Sequence, residues 1–189
     1  MERCAWLGDD PLMMAYHDDE WGVPLHDDNR HFEFLVLDAF QAGLSWRTVL
    51  HKRENFRRAF DGFDPAKIVR YGETERARLL ADAGIIRNRQ KVDASIGNAR
   101  AFLDIQQREG GFDGWIWQFT GGRTIQNSCD ELTDIPAKTP EAEAMSKALK
   151  TEGFKFVGPT ICYAYMQAAG MVNDHVTRCY RWNELGGGG

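Results

Sequence analysis

Apolar residues recur at intervals of three and four along most of the chain, and each run is bounded by helix punctuation. In "NRHFEFLVLDAFQAG", Phe32, Leu35, Val36 and Ala39 share one face and Gly43 ends the run. Ser45 is placed to cap the next helix, "WRTVLHKRENFRRAF". Asp64 and Pro65 mark a clean start for "FDPAKIVRYG", and a short helix through "ETERARLLAD" stops at Gly84. Val92, Ile96, Ala99 and Leu103 then repeat at helical spacing in "IIRNRQKVDASIGNARAFLDIQQ". Thr139 and Pro140 open a further helix through Leu149, and a small-residue helix follows Pro159. Strand signals are thin, "GRTIQNSC" being the best extended candidate. The pattern predicts an all-α fold.

No Pro- or Ser-rich linker divides the 189 residues, a length that one domain with a real core accommodates. Residues 1–25 and 170–185 are expected to form a lobe on that domain, with residues 186–189 as a glycine tail. No apolar run approaches the roughly 20 residues of a membrane span. The N-terminus "MERCAWLGDD" carries charges where a signal peptide would need its apolar region. A cytosolic protein with no membrane partner is expected. The net charge of −5 argues against indiscriminate coating of nucleic acid. Base does gather later in the chain, in "RTVLHKRENFRR", "IIRNRQK" and "KALKTEGFKF", so a local basic face remains open, as do ordinary solvated helix faces.

The four cysteines are scattered and form no disulfide framework. His175 and Cys179, four apart, could turn a ring nitrogen and a sulfur toward one point. Two ligands hold zinc poorly, which raises the question of where others lie. Cys162 sits in an apolar run where a buried thiol is the ordinary reading, and Cys129 is mid-chain. Cys4 and His17 remain at the front. Their spacing matches no common zinc finger, so spacing alone leaves the pairing open.

Two stretches carry further chemistry. In "LDAFQAGLSW", Asp38 interrupts an otherwise apolar helix. A buried carboxylate is costly unless partnered, so Asp38 either bridges to a neighbouring element or waits for a donor-bearing or cationic ligand. Trp6, Tyr16, Trp21 and Trp46 lie in the same quarter of the chain, as core or as walls for a flat cationic ring. In "GFKFVGPTICYAYMQAAG", the segment Phe156–Thr160 forms a tight hairpin between helices, which can offer backbone N–H groups to phosphate. Lys150, Lys155, Gly158 and Thr160 are the candidate DNA contacts there, and Gly43 and Leu44 in the Ala42–Leu44 loop are candidates for probing the duplex.

The blocks "MERC-W", "AYHD-EWGVP", "QAGLSW-TVL-KREN", "DAGIIRNR-K", "IGNARA" and "SKALK--GFKFVGPTICYAYMQA-G-VNDH" follow one another in order. Over essentially the whole chain they resemble bacterial 3-methyladenine DNA glycosylase I. The resemblance implies a helix-hairpin-helix glycosylase fold whose two chain ends are joined by one structural zinc ion. It places the zinc ligands on Cys4, His17, His175 and Cys179. It implies an enzyme of base-excision repair, a monomer in the bacterial cytosol and transiently on the nucleoid. Such an enzyme hydrolyses the N-glycosidic bond of N3-methyladenine in alkylated duplex DNA, and releases 3-methyladenine. It places the base-holding residues on Asp38, Tyr16 and Trp46, with Trp6 as a wall.

The sequence departs from the family pattern at position 38, where the acid is typically Glu, and at Met13, where some relatives carry an aromatic residue. Asp174 invites the role of the catalytic acid found after the hairpin in the wider superfamily. Its place beside His175 points instead to orienting that ring. A non-catalytic, zinc-stabilised reader of modified bases would share the same features. A zinc hydrolase would need an open metal position, against which four protein ligands count.

Overall fold

The computed structural model describes residues 1–187, and the protein is mostly helical, as the periodicity predicts. Helices run in order α1 (Pro11–Asp19), α2 (Asp28–Gln41), α3 (Trp46–Ala59), α4 (Pro65–Ile68), α5 (Glu73–Ala81) and α6 (Arg89–Glu109). They continue with α7 (Phe112–Trp117), α8 (Pro140–Thr151), α9 (Pro159–Ala168) and α10 (Tyr180–Glu184). The expected starts at Ser45, Asp64 and Thr139 are caps, each side-chain oxygen accepting a backbone N–H of the first turn.

Helix α2 organises the rest. It packs against α3, α6, α7 and α9, and every residue from His31 to Phe40 is buried. A helix covered on all sides needs apolar residues on all sides, which explains why its run has so few polar interruptions. Phe32 stacks obliquely on Phe102 of α6, and Phe40 meets Phe56 of α3, with ring centroids 5.1 and 4.8 Å apart. A buried ion cluster locks α3 to its neighbours. Arg53 donates to Glu33 of α2 at 2.7 Å and to both oxygens of Glu20, just past α1, at 2.8 Å.

Three features differ from the sequence expectation, and a fourth bears it out. The front of the chain, where no helix is predicted, contains α1, started by Asp10, whose carboxylate caps Leu12 and Met13, with Pro11 in the first turn. Helix α7 follows the Gly110–Gly111 break, where six residues are too few to show a period. Helix α6 starts at Arg89, because Asn88 takes the cap and leaves Ile85 and Ile86 outside the helix. The extended piece is real but minimal: Ile125–Gln126 (β1) pairs in parallel with Val172–Asn173 (β2).

The two ends of the chain meet. Gly22 and Leu25 donate backbone N–H groups to the carbonyls of Gln167 and Ala169 at the end of α9. Of the glycine tail, Gly186 and Gly187 fold back, the latter donating to the Trp182 carbonyl at 2.8 Å, while Gly188 and Gly189 lie outside the described residues. No helix among the described residues is long and apolar enough to cross a membrane.

Gly170 is where the two ends press closest. Its φ is +66°, and a Cβ there would run into the backbone of Val23 and Pro24. Gly170→Ala therefore adds left-handed strain to a backbone clash, and should lower unfolding free energy by about 3 kcal/mol or more. Urea denaturation of the purified variant checks this.

Candidate active site

Asp38 is placed by α2 at the floor of a cleft of about 210 Å³. The walls are Trp6, Tyr16, Trp21, Gln41, Trp46, Ile135, Ala164, Gln167 and Ala168. All four residues singled out for base binding, Asp38, Tyr16, Trp46 and Trp6, thus line one cavity. Tyr16 and Trp46 lie tilted, 5.1 Å between centroids, and Trp6 meets Trp21 edge-on at the same 5.1 Å.

The polar groups of this cleft are undersupplied. Asp38 is 2% exposed, yet among the described residues its Oδ2 has no hydrogen-bond partner, and neither have the indole N–H groups of Trp6 and Trp46. Buried polar atoms are nearly always satisfied, so three orphans around one cavity mark a place built for a ligand with its own donors and acceptors. Burial pushes the Asp38 carboxyl well above the usual carboxylate range. Burial, and then the neighbouring Asp38 charge, push the Tyr16 phenol up as well.

The ligand atoms of Cys4, His17, His175 and Cys179 all lie within 4.8 Å of one another, and all four residues are buried. Nδ1 of His175 stands 3.1 Å from Nε2 of His17, and Sγ of Cys179 lies 3.4 and 3.5 Å from those two nitrogens. Each imidazole is oriented from behind. His17 Nδ1 meets Asp18 Oδ1 at 2.8 Å, and His175 Nε2 meets the Trp21 carbonyl at 3.0 Å, so the remaining nitrogen of each ring faces the centre. The neighbouring Cys4 holds Cys179 well below the usual thiol range, and Cys179 together with burial pushes Cys4 far above it. Two sulfurs and two correctly turned imidazoles could hold a metal ion. His175 and Cys179 do not share a helix: they flank a turn, with Cys179 capping α10.

Asp174 does not orient His175. Its Oδ1 accepts from Asn127 at 2.6 Å, and its Oδ2 accepts from Tyr163 at 2.6 Å and Gln167 at 2.8 Å. The Trp21 carbonyl takes the role expected of it. Cys162, as read from its apolar setting, is a buried thiol that donates to the Val157 carbonyl.

The candidate DNA contacts lie in and beside two loops tied to one helix, with Lys150 on α8 and Thr160 in the first turn of α9. Gly43 and Leu44 lie in the loop after α2, where Leu44 is 45% exposed, an unusual position for a leucine. Lys91 of α6 reaches under this loop and donates to the carbonyls of Phe40 at 2.8 Å and Ala42 at 2.6 Å. Asn98 clamps the hairpin, accepting from the Lys155 N–H at 2.8 Å and donating to its carbonyl at 3.1 Å. Seven residues separate Lys91 from Asn98, which is two helical turns and roughly 10.5 Å along one face. Lys150, Lys155 and Thr160 are exposed, and Gly158 caps α9.

Trp21, open in the sequence as core or as a wall, lines the cleft, whereas Gln41, Gln167 and Ile135 were not assigned to it. Gln41 was within reach, standing one turn from Asp38 on the same face of α2. Gln167 and the small Ala164 and Ala168 follow from α9 only once its packing is known.

A family model described as methyladenine glycosylase matches residues 6–182. The chain is 52% identical over 179 residues to DNA-3-methyladenine glycosylase 1 of Escherichia coli (strain K12), covering 95% of this chain and 96% of that protein. A crystal structure of 3-methyladenine DNA glycosylase I matches with TM-score 0.93 at 50% identity, over 95% of this chain and 98% of that one. A variant of 3-methyladenine DNA glycosylase I in complex with 3-methyladenine matches with TM-score 0.92 at 33% identity, over 95% and 97% of the chains. The fold is that of a DNA glycosylase. Within that class the chain belongs to the methyladenine glycosylase family.

The raised Asp38 carboxyl makes stability pH-dependent. A native carboxyl above its unfolded value of 3.8 holds its proton while the unfolded chain releases one, so its contribution is full below 3.8 and is lost as pH rises toward the native value. Asp38→Asn, which cannot ionise, should gain on wild type by up to about 1.4 kcal/mol per pH unit across that window. Urea midpoints of both proteins from pH 4 upward measure the difference.

Proposed function

We propose that this chain is a monofunctional glycosylase acting on N3-methyladenine in alkylated duplex DNA, releasing the free base and leaving an abasic site. The observation that carries this reading is the buried, unpartnered Asp38 oxygen among aromatic rings. N3-methyladenine is flat, carries positive charge and has N–H donors. Stacking and cation–π attraction suit it to Tyr16, Trp46 and Trp6. A cation beside Asp38 favours the ionised carboxyl that burial alone disfavours, so ligand and acid stabilise each other.

The chemistry asks little more. The C1′–N9 bond electrons move to the base and neutralise it, so no acid is needed to protonate the leaving group. Water adds to C1′ and gives up a proton. The protein has to extrude the nucleotide, hold the ring and stabilise charge on the sugar, with DNA phosphates assisting. The hairpin amides near Gly158 and Thr160, with Lys150 and Lys155, would grip phosphate, and Gly43 and Leu44 would occupy the space the base leaves.

Cys4, His17, His175 and Cys179 suit one structural zinc ion. Sulfur and nitrogen donors in a closed set of four fill a tetrahedron and leave no place for a catalytic water. When bound, zinc would join residues 1–25 to 170–185 as one lobe of a single glycosylase domain. A monomer working in the bacterial cytosol fits this reading.

Wild-type protein should release free 3-methyladenine from methylated duplex DNA, detected by chromatography of the soluble fraction. A protein that binds such DNA and releases nothing would be a reader. Asp38→Asn should slow release by about one to two decades, the effect of one charge-assisted hydrogen bond used in the transition state. Wild-type rates in a folded Asp38→Asn variant would remove Asp38 from the site.

Elemental analysis should find one zinc per chain. Cys179→Ser should lose it and be destabilised by at least about 3 kcal/mol, with a smaller loss of excision per folded molecule. A zinc-free wild-type protein of unchanged stability would refute this.

A further inference from the structure

Gln167 stands in the cleft wall with its amide held from behind. Its Nε2 donates to Asp174 Oδ2 at 2.8 Å. Two further donors, Asn127 Nδ2 and the Tyr163 hydroxyl, converge on the same carboxylate at 2.6 Å each. A group that gathers three donors acts purely as an acceptor, so it fixes which end of the Gln167 amide faces it. The carbonyl end, Oε1, takes no hydrogen bond from any described residue and is left to the cleft. Asp174 is 1% exposed, and its donors come from two parts of the chain, Asn127 just after β1 and Tyr163 and Gln167 one turn apart on α9, so the arrangement is rigid.

We propose that Gln167 is a specificity-determining residue whose amide oxygen selects a base with an amine at position 6, and that Asp174 is the positioning residue holding it in that orientation. The inference rests on the cleft being the base pocket, and adds the group that tells adenine from guanine there. Adenine derivatives present an N–H₂ donor at position 6, whereas guanine derivatives present an oxygen acceptor there. A fixed acceptor pairs with the first and leaves two oxygens facing each other with the second. A site built around one hydrogen bond rejects the partner lacking it more strongly than a shape match could. An unpinned glutamine would turn its amide and accept either base. Aromatic walls stack on both rings equally and cannot make this distinction.

The test compares release of 3-methyladenine and 3-methylguanine from one methylated duplex by wild type, Gln167→Met and Asp174→Asn, with melting temperature and zinc content measured for each. Gln167→Met keeps length and loses the acceptor, and the ratio of the two rates should fall roughly tenfold. Asp174→Asn should lower the ratio as well, at unchanged zinc content, which a purely structural role would not do. An unchanged ratio in a folded Gln167→Met protein overturns the proposal. Wild-type protein provides a second arm, in which quenching of its tryptophan fluorescence reports binding of free 3-methyladenine and of 3-methylhypoxanthine, whose position 6 carries oxygen. The first should bind roughly tenfold more tightly; equal affinity overturns the proposal even if the variants fail to fold. A wild type that releases neither base from DNA defeats the reading of the cleft itself, an outcome distinct from both.

Discussion

Asp38 occupies a helix that is covered on every side, and one of its oxygens has no donor among the residues around it. Leaving such a group unsatisfied costs about 1–3 kcal/mol, and ionising it there costs more. No described residue lining the cleft relieves this. The aromatic rings of the cleft donate nothing to that oxygen, and the amide N–H₂ of Gln167 is committed to Asp174. The fold tolerates the burden because α2 is held elsewhere, by Phe32 and Phe40 in the core and by Glu33 through Arg53.

Cleft and metal-ligand cluster are neighbours that share parts. Tyr16 and His17 are consecutive on α1, and Trp6 follows Cys4 by two residues. Trp21 belongs to both, with its ring in the cleft wall 4.6 Å from that of His175 and its carbonyl on His175 Nε2. A metal ion held by that cluster would therefore keep the aromatic walls in place without touching a substrate.

Local rules made much of this readable. Caps at Ser45, Asp64 and Thr139 and the period of α2 and α6 rest on neighbours within one turn, and these are visible in a single sequence. The spacing of His175 and Cys179 raised half of a metal site, but joining it to Cys4 and His17 needed the resemblance, because no local rule links residues 171 positions apart. Asp38 was conspicuous as one acid in an apolar run. Gln167 was not, since a glutamine near a helix end has no meaning until Asp174 is known to stand behind it. Asp174 itself was assigned to its sequence neighbour His175, whereas its partners are Asn127, Tyr163 and Gln167. Helix α1 could have been found from Asp10 and Pro11, whose cap and first-turn signals were overlooked among the surrounding acids.

The meeting of Cys4 with His175 across 171 positions also bears on how the molecule is made. A ribosome releases the front of the chain long before the back. Trp6, Tyr16 and Trp21 therefore leave the exit tunnel many seconds ahead of Gln167 and His175, at roughly 5–20 residues per second. During that interval α2 and α3 can pack, but three large aromatic side chains have no wall to complete and remain available to chaperones. The cleft is finished only when α9 is delivered, so a product truncated before that helix would be unable to assemble it.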